Sequence, residues 1–237
     1  MFKKVFLKTR LRILRDALLY LKDSLLSFSV FNKYSARRLI NYYGGNSGHF
    51  IDRKKGNLGY GFIHYGFIRN LKPKRILCIG SGFGFVPSIL ALACKDNDFG
   101  KVDFVDAGYE DNHPKSWGGK AFWKKKDPER HFGALGLNKC IDTYIMTSQD
   151  FTDKYKNRDY GYIYIDGDHS YKGVKNDFEL FWPRLKKGGL MVFHDVKVKN
   201  WGKLKNFGVW KFWQELKLDS KITFPFPKES GLGILQK

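Results

Sequence analysis

Residues 75–84 read Arg75-Ile76-Leu77-Cys78-Ile79-Gly80-Ser81-Gly82-Phe83-Gly84, and this stretch decides the architecture. Ile76 to Ile79 is an apolar run of strand length, Gly80 to Gly84 is a tight turn, and Val86 to Cys94 continues as a helix-like apolar segment. A buried strand that turns through glycines into a helix offers bare backbone N–H groups to a ligand. The helix dipole there favours a carboxylate or a phosphate. Glycine turns that merely connect a strand to a helix are about as common, so the surroundings carry the decision.

Downstream, strand-like and helix-like segments alternate, the pattern of βαβ units and a parallel sheet. Val102 to Asp106 reads as the second strand, Ile141 to Met146 as the third and Tyr160 to Ile165 as the fourth, whose continuous apolar and aromatic character suits burial on both faces. A helix is expected from Gly173 to Leu185, a fifth strand over Leu190 to Phe193, a helix over Val209 to Leu216, and two last strands at Ile222 to Phe224 and Leu232 to Leu235. Gly108 to His131 is irregular, polar and aromatic, with a short helix expected through Phe132 to Leu135. The fold class is α/β: a Rossmann-like, mostly parallel sheet of seven strands with helices on both faces.

Upstream, residues 1–40 stand apart as a basic amphipathic extension. They hold ten Lys or Arg against two Asp, while Phe6, Ile13, Leu14, Leu18, Leu21, Leu25 and Leu26 recur at helical spacing. Such a helix can lie on an anionic membrane surface, or pack its apolar stripe on its own domain or on a second copy of the chain. Residues 41–237 form the main domain. Within it, Asn41 to Gly61 reads as a loop placed to cover a site, and Phe62 to Asn70 as a short helix before the first strand.

The 237 residues carry a formal charge of +20, which points to an anionic partner such as nucleic acid, a lipid headgroup or an acidic glycan; a biased genome rich in Lys, Phe, Tyr and Asn would give the same number. No uncharged apolar run approaches the roughly 20 residues of a membrane span, and the first residues lack an apolar core with a small-residue cleavage site. Cys78, Cys94 and Cys140 form no paired motif and read as reduced thiols. A cytoplasmic location is expected, with peripheral contact at the inner membrane surface through residues 1–40 as an extension of it.

Ligands of open parallel sheets bind beyond the carboxyl ends of the strands. Asp106 closes the second strand 22 positions after Gly84, the place from which an acid accepts hydrogen bonds from ribose hydroxyls. Ser148-Gln149-Asp150 follows the third strand, where Asp150 is a candidate for an adenine amino group. The fourth strand ends in Asp166-Gly167-Asp168-His169-Ser170-Tyr171 and the fifth in His194-Asp195. Carboxylates and imidazoles from two adjacent strand ends can bind a divalent cation or poise a base. A nicotinamide site is disfavoured because Phe85 stands where G-x-G-x-x-G requires its third glycine, and no G-x-x-x-x-G-K-[ST] pattern is present.

The ordered series IGSGFGF, FVDAG, TSQDF, IDGDHSY and LKKGGLMVFHDV resembles the class I S-adenosylmethionine-dependent methyltransferases. The nearest branch is the DGDHSY type, similar to macrocin-type sugar O-methyltransferases and cephalosporin hydroxylase-like proteins. The resemblance covers about residues 58 to 237 and implies a reversed final strand. By position, Gly80, Ser81, Gly82 and Gly84 would wrap the methionine end of S-adenosylmethionine, Asp106 would hold the ribose, and Asp150, with Gln149 beside it, the adenine. The metal of magnesium-dependent relatives maps onto Asp166 and Asp195 with His194 adjacent, so that Mg²⁺ or another divalent cation is implied. Cys78 stands where many relatives carry an acid.

The activity expected is methyl transfer to a hydroxyl of a small molecule or glycan. Asp166 would serve the catalytic centre, with His169 as general base and His194 as the second choice. Trp117 and Trp123 are candidates for an aromatic acceptor wall. A nucleic-acid methyltransferase, or a non-catalytic module binding a membrane or a partner, are the alternatives, and homo-oligomerisation stays open.

Overall fold

The computed structural model describes residues 33–44, 49, 51–110, 113, 115, 117, 120–199, 207–224 and 230–237. Most of the basic extension expected over residues 1–40 therefore lies outside the described residues. One compact unit spans Lys33 to Lys237, so the helix α1 (Lys33–Tyr43) crosses the boundary expected at residue 40. Its Ala36, Leu39, Ile40 and Tyr43 are buried.

Seven strands form one sheet: β1 (Arg75–Ile79), β2 (Lys101–Asp106), β3 (Ile141–Ile145), β4 (Tyr160–Ile165), β5 (Leu185–His194), β6 (Ile222–Phe224) and β7 (Leu232–Gln236). Their order is β3-β2-β1-β4-β5-β7-β6. The first five are parallel; β7 runs antiparallel to both β5 and β6, the reversed last strand that the resemblance implied. Because side chains alternate along a strand, β1 sends Ile76 and Cys78 to one face and Leu77 and Ile79 to the other, all of them buried. On the first face lie α2 (Gly61–Leu71) and α3 (Phe85–Asp96). The second is covered by α7 (Tyr171–Phe181) and α8 (Val209–Glu215), whose Val174, Phe181, Phe212 and Trp213 join Leu77, Ile79, Ile163 and Ile165 in one apolar cluster. Between these helices in sequence come the short α4 (Phe122–Lys125), α5 (Pro128–Gly133) and α6 (Ser148–Lys154).

Three of the elements that differ from the sequence expectation do so for a local reason. The helix expected near Phe132 starts at Pro128, because Asp127 caps it by accepting from the Glu129 N–H and proline is compatible with a first turn. α7 starts at Tyr171, where the Ser170 hydroxyl accepts from the Gly173 N–H. β5 begins at Leu185 instead of Leu190; Lys186 to Gly189 looks like a turn but continues as an edge-like stretch past an irregularity opposite Tyr160 and Tyr162.

A polar lock closes the amino ends of the strands. Asp103 of β2 is wholly buried, and its carboxylate takes both oxygens' bonds from Arg75 at 3.0 Å, an ion pair with Arg158 at 3.1 Å, and the Tyr160 hydroxyl at 3.2 Å. The Arg158 guanidinium also lies 3.9 Å over the Tyr155 ring.

At the opposite, carboxyl ends, the Gly80 turn packs against the end of β4. A Cβ on Gly80 would lie 2.3 Å from the Asp166 carbonyl oxygen, and its φ of +64° is left-handed. Gly56 has almost the same φ, +65°, with nothing within 4 Å. Gly56→Ala is therefore expected to cost only the left-handed penalty of about 1–2 kcal/mol. Gly80→Ala adds overpacking of about 1–3 kcal/mol. Urea unfolding of the two variants checks this; equal losses would show that the turn can back away from β4.

Candidate active site

Strand order reverses between β1 and β4, and a cleft of about 680 Å³ opens there at the carboxyl ends of the strands. The three glycines of the turn serve three purposes. Gly80 permits the contact with β4. Gly82, with φ +49° and no atom within 4 Å of a would-be Cβ, leaves its backbone open to the cleft. Gly84 makes room for the Trp123 ring, 2.7 Å from its would-be Cβ. The Trp123 indole N–H donates to the Gly82 carbonyl at 2.8 Å and so braces the turn from behind. Gly80, Ser81 and Gly82 line the cleft.

Asp106 ends β2 at the cleft. One carboxylate oxygen accepts from the Gly108 N–H at 2.8 Å. Burial pushes the carboxyl up to about 6 against the opposing effect of that N–H, and the nearby Asp166 charge adds to the rise. Beyond β3, Thr147 caps α6. Thr147, Ser148 and Gln149 line the cleft, whereas Asp150 is exposed and does not: its carboxylate accepts from the Thr147 hydroxyl at 2.7 Å, and its N–H donates back to that hydroxyl at 3.1 Å. Gln149 donates to Asp153 at 3.2 Å.

The ends of β4 and β5 bring Asp166, His169, His194 and Asp195 into one group, with His194 and Asp195 buried and Asp166 and His169 half-buried. His169 places Nε2 3.2 Å from Asp166 and Nδ1 3.4 Å from Asp195. His194 Nδ1 lies 3.3 Å from Asp166 and 3.2 Å from Asp195. Each carboxylate is held from the outside by one hydroxyl. Tyr164 donates to Asp166 Oδ2 at 3.2 Å, and Ser230 donates to Asp195 Oδ1 at 2.7 Å. The inward oxygen, Asp166 Oδ1 or Asp195 Oδ2, is thereby turned toward the imidazoles. Ligand atoms of Asp166, His169 and Asp195 lie within 4.8 Å of one another.

Burial alone would raise both carboxyls and lower both imidazoles. The His194–Asp195 and His194–Asp166 attractions, with those of His169 to both carboxylates, reverse that. Asp166 is held well below the usual carboxylate range and Asp195 is held below it. His194 is raised far above the ordinary imidazole value and His169 is raised less. Even so, Asp195 Oδ2 and His194 Nδ1 are buried without a well-formed hydrogen bond. Two inward carboxylate oxygens beside imidazole nitrogens, with such orphaned atoms, form a donor set that a divalent cation fits.

Among the residues that sequence reasoning missed are two that line the cleft, His49 and Asp177, and one that stands behind Asp166, Tyr164. His49, from the segment expected to cover a site, is buried with its ring 4.9 Å from His194; burial and His194 lower it to about 4. A lone His in a Gly- and Asn-rich stretch carries no pattern. Tyr164 looked like one more apolar strand residue. Asp177 falls within the helix expected from Gly173 to Leu185 with no motif to mark it, yet it is buried and lines the cleft. Of the two tryptophans, Trp117 lines the cleft, stacks on His169 at 5.3 Å and donates to Asp168 at 3.1 Å, whereas Trp123 is core, stacked on Phe132.

Comparison with known proteins agrees with the fold. A family model described as "Methyltransferase domain" matches residues 77–196, just over half of the chain. The uncharacterized protein y4gI of Sinorhizobium fredii is 28% identical over 189 residues, 79% of this chain but 20% of that protein. The uncharacterized protein R132 of Acanthamoeba polyphaga mimivirus is 46% identical over 39 residues, 16% of this chain and 18% of that protein. The matched stretches thus cover about a fifth of the length of each of these relatives. Among solved structures, the O-methyltransferase from Bacillus cereus in complex with SAH has a TM-score of 0.57 at 13% identity, covering 88% of this chain and 93% of that one. The O-methyltransferase TomG from Streptomyces achromogenes, involved in tomaymycin synthesis and in complex with SAM, has a TM-score of 0.56 at 14% identity, covering 93% and 96%. The chain belongs to the methyltransferase-domain family and has the fold of the class I S-adenosylmethionine-dependent methyltransferases.

Proposed function

We propose that this domain transfers the methyl group of S-adenosylmethionine to a hydroxyl oxygen of a small molecule or glycan, assisted by a divalent cation. The observation that carries the proposal is the convergence on one cleft of an open Gly82 backbone, the Asp106 carboxylate and the inward-facing Asp166 and Asp195. The fold alone would not distinguish this chemistry from others on similar sheets.

S-adenosylmethionine supplies a methyl group already activated on a sulfonium, so that the C–S bond breaks as the O–C bond forms and S-adenosylhomocysteine leaves neutral. What remains for the chain is alignment and removal of one proton, and alignment alone accounts for much of such an acceleration. Asp106 accepts from the ribose hydroxyls, and the Gly80 to Gly82 backbone takes the methionine end. His194, the more deeply buried imidazole and braced by Ser230 at 3.3 Å, is assigned with Asp166 and Asp195 as a cation ligand. His169, at the cleft wall against Trp117, is assigned as the base that receives the hydroxyl proton. A bound cation would gather acceptor oxygens and lower the pKa of the one to be methylated. With imidazole in the set, Mn²⁺, Fe²⁺ or Zn²⁺ suits it better than Mg²⁺, which prefers oxygen.

Calorimetry should show S-adenosylhomocysteine binding to the purified protein, weakened by Asp106→Ala by roughly tenfold or more. No binding to the wild type would remove the cofactor assignment. Since Asp106 titrates near 6 and the ionised carboxylate is the better acceptor, affinity should fall as pH drops from 7 to 5, by at most about tenfold per unit. Asp106→Asn should flatten that profile. For the cation, Mn²⁺ binding followed by its paramagnetic resonance should be lost in Asp166→Asn and in Asp195→Asn. Unchanged binding in both would place any cation elsewhere.

A further inference from the structure

The cleft extends past Asp106 toward β3, where an adenine attached to an Asp106-bound ribose would lie. Its walls there are Ser148 and Gln149 from the start of α6, and Gly173, Asn176 and Asp177 from one face of α7. Asp150, the acid that position alone assigns to the adenine, is turned to the Thr147 cap outside the cleft. The carboxyl that does face this end is Asp177, 4% exposed. It is partnered by the Ser148 hydroxyl and lies under Gly167, whose would-be Cβ is 3.3 Å from its Oδ2.

We propose that Asp177, set beside Ser148 at the β3 end of the cleft, reads the Watson–Crick edge of the cofactor's adenine. The inference rests on the cofactor reading above. Burial pushes the Asp177 carboxyl up to about 7, with the Asp168 charge adding and the Ser148 hydroxyl and Lys115 opposing. Near neutrality the group therefore spends much of its time as a neutral acid. A neutral carboxyl presents an O–H donor next to a carbonyl acceptor. Because the Ser148 hydroxyl donates to one of its oxygens, the proton sits on the other, which fixes their order. Adenine presents the complement, an acceptor at N1 next to the donor N6 amine. Hypoxanthine presents the opposite at both atoms, a donor at N1 and an acceptor at O6. A buried group built to pair one edge rejects the other strongly, because mispairing leaves desolvated polar atoms unsatisfied.

The test compares S-adenosylhomocysteine with S-inosylhomocysteine by calorimetry on wild type, Asp177→Ala and Asp177→Asn, with melting temperatures as the folding control. Wild type should favour the adenosyl ligand by roughly tenfold to hundredfold. Asp177→Ala should lose most of that preference. Asp177→Asn, whose amide keeps one donor and one acceptor, should retain it within about threefold. Asp177→Thr, which fills more of the space, carries the same expectation as Asp177→Ala should the latter fold poorly. An adenosyl preference that survives in Asp177→Ala or Asp177→Thr overturns this inference alone. So does an equal weakening of both ligands. Failure of the wild type to bind either ligand overturns the cofactor reading and this inference with it.

Discussion

The close approach of the Gly80 turn to the Asp166 carbonyl is the contact on which the site depends. β1 and β4 are neighbours in the sheet although the chain travels outward through β2 and β3 between them. Only a residue without a side chain lets the turn after β1 lie against the end of β4. That contact fixes where a ligand held by the turn meets the acids at the strand ends. It also places the open backbone of Gly82, two residues on, over the cleft. The topology makes the crevice, and the glycine sets its width.

The electrostatic design follows from burial. Asp166 and Asp195 end adjacent strands, and two carboxylates so close are tolerable only with positive charge between them. The imidazoles of His169 and His194 lie against both carboxylates and can carry that charge; a bound cation would replace it and leave His169 free to take up a proton. Tyr164 and Ser230 stand behind the carboxylates and leave one oxygen of each directed inward. The hydroxyls thus decide which oxygen is available, a role that a list of acids and imidazoles does not show.

Much of the fold was legible because its signals are local. A short apolar run before closely spaced glycines, and strands of unbroken apolar character, leave few alternatives. Asp106, Asp166, His169, His194 and Asp195 were legible because strand ends in a parallel sheet share one edge. The rest depends on side-chain direction. The Thr147–Asp150 spacing is a helix-capping pattern that turns Asp150 away from the cleft, and it competes with the motif-based assignment of the same residue. Asp177 becomes a cleft residue only because α7 turns that face inward, which the sequence around it does not mark. His49 arrives from a distant segment, and Trp117 and Trp123 sit six positions apart yet take opposite roles. The early start of β5 was hidden by Lys186 to Gly189, polar and glycine-containing residues that resemble a turn.

The polar lock around Asp103 bears on the far end of the sheet. Residues 103 and 106 are three apart on one strand, so their side chains point to opposite faces. Sliding β2 by a single step would drag the Asp103 charge off Arg75 and Arg158 and into aliphatic surroundings, while turning Asp106 away from the rim. The guanidinium clasp therefore acts as an alignment pin: charges that touch no substrate dictate, some three residues along the strand, where the rim acid must emerge.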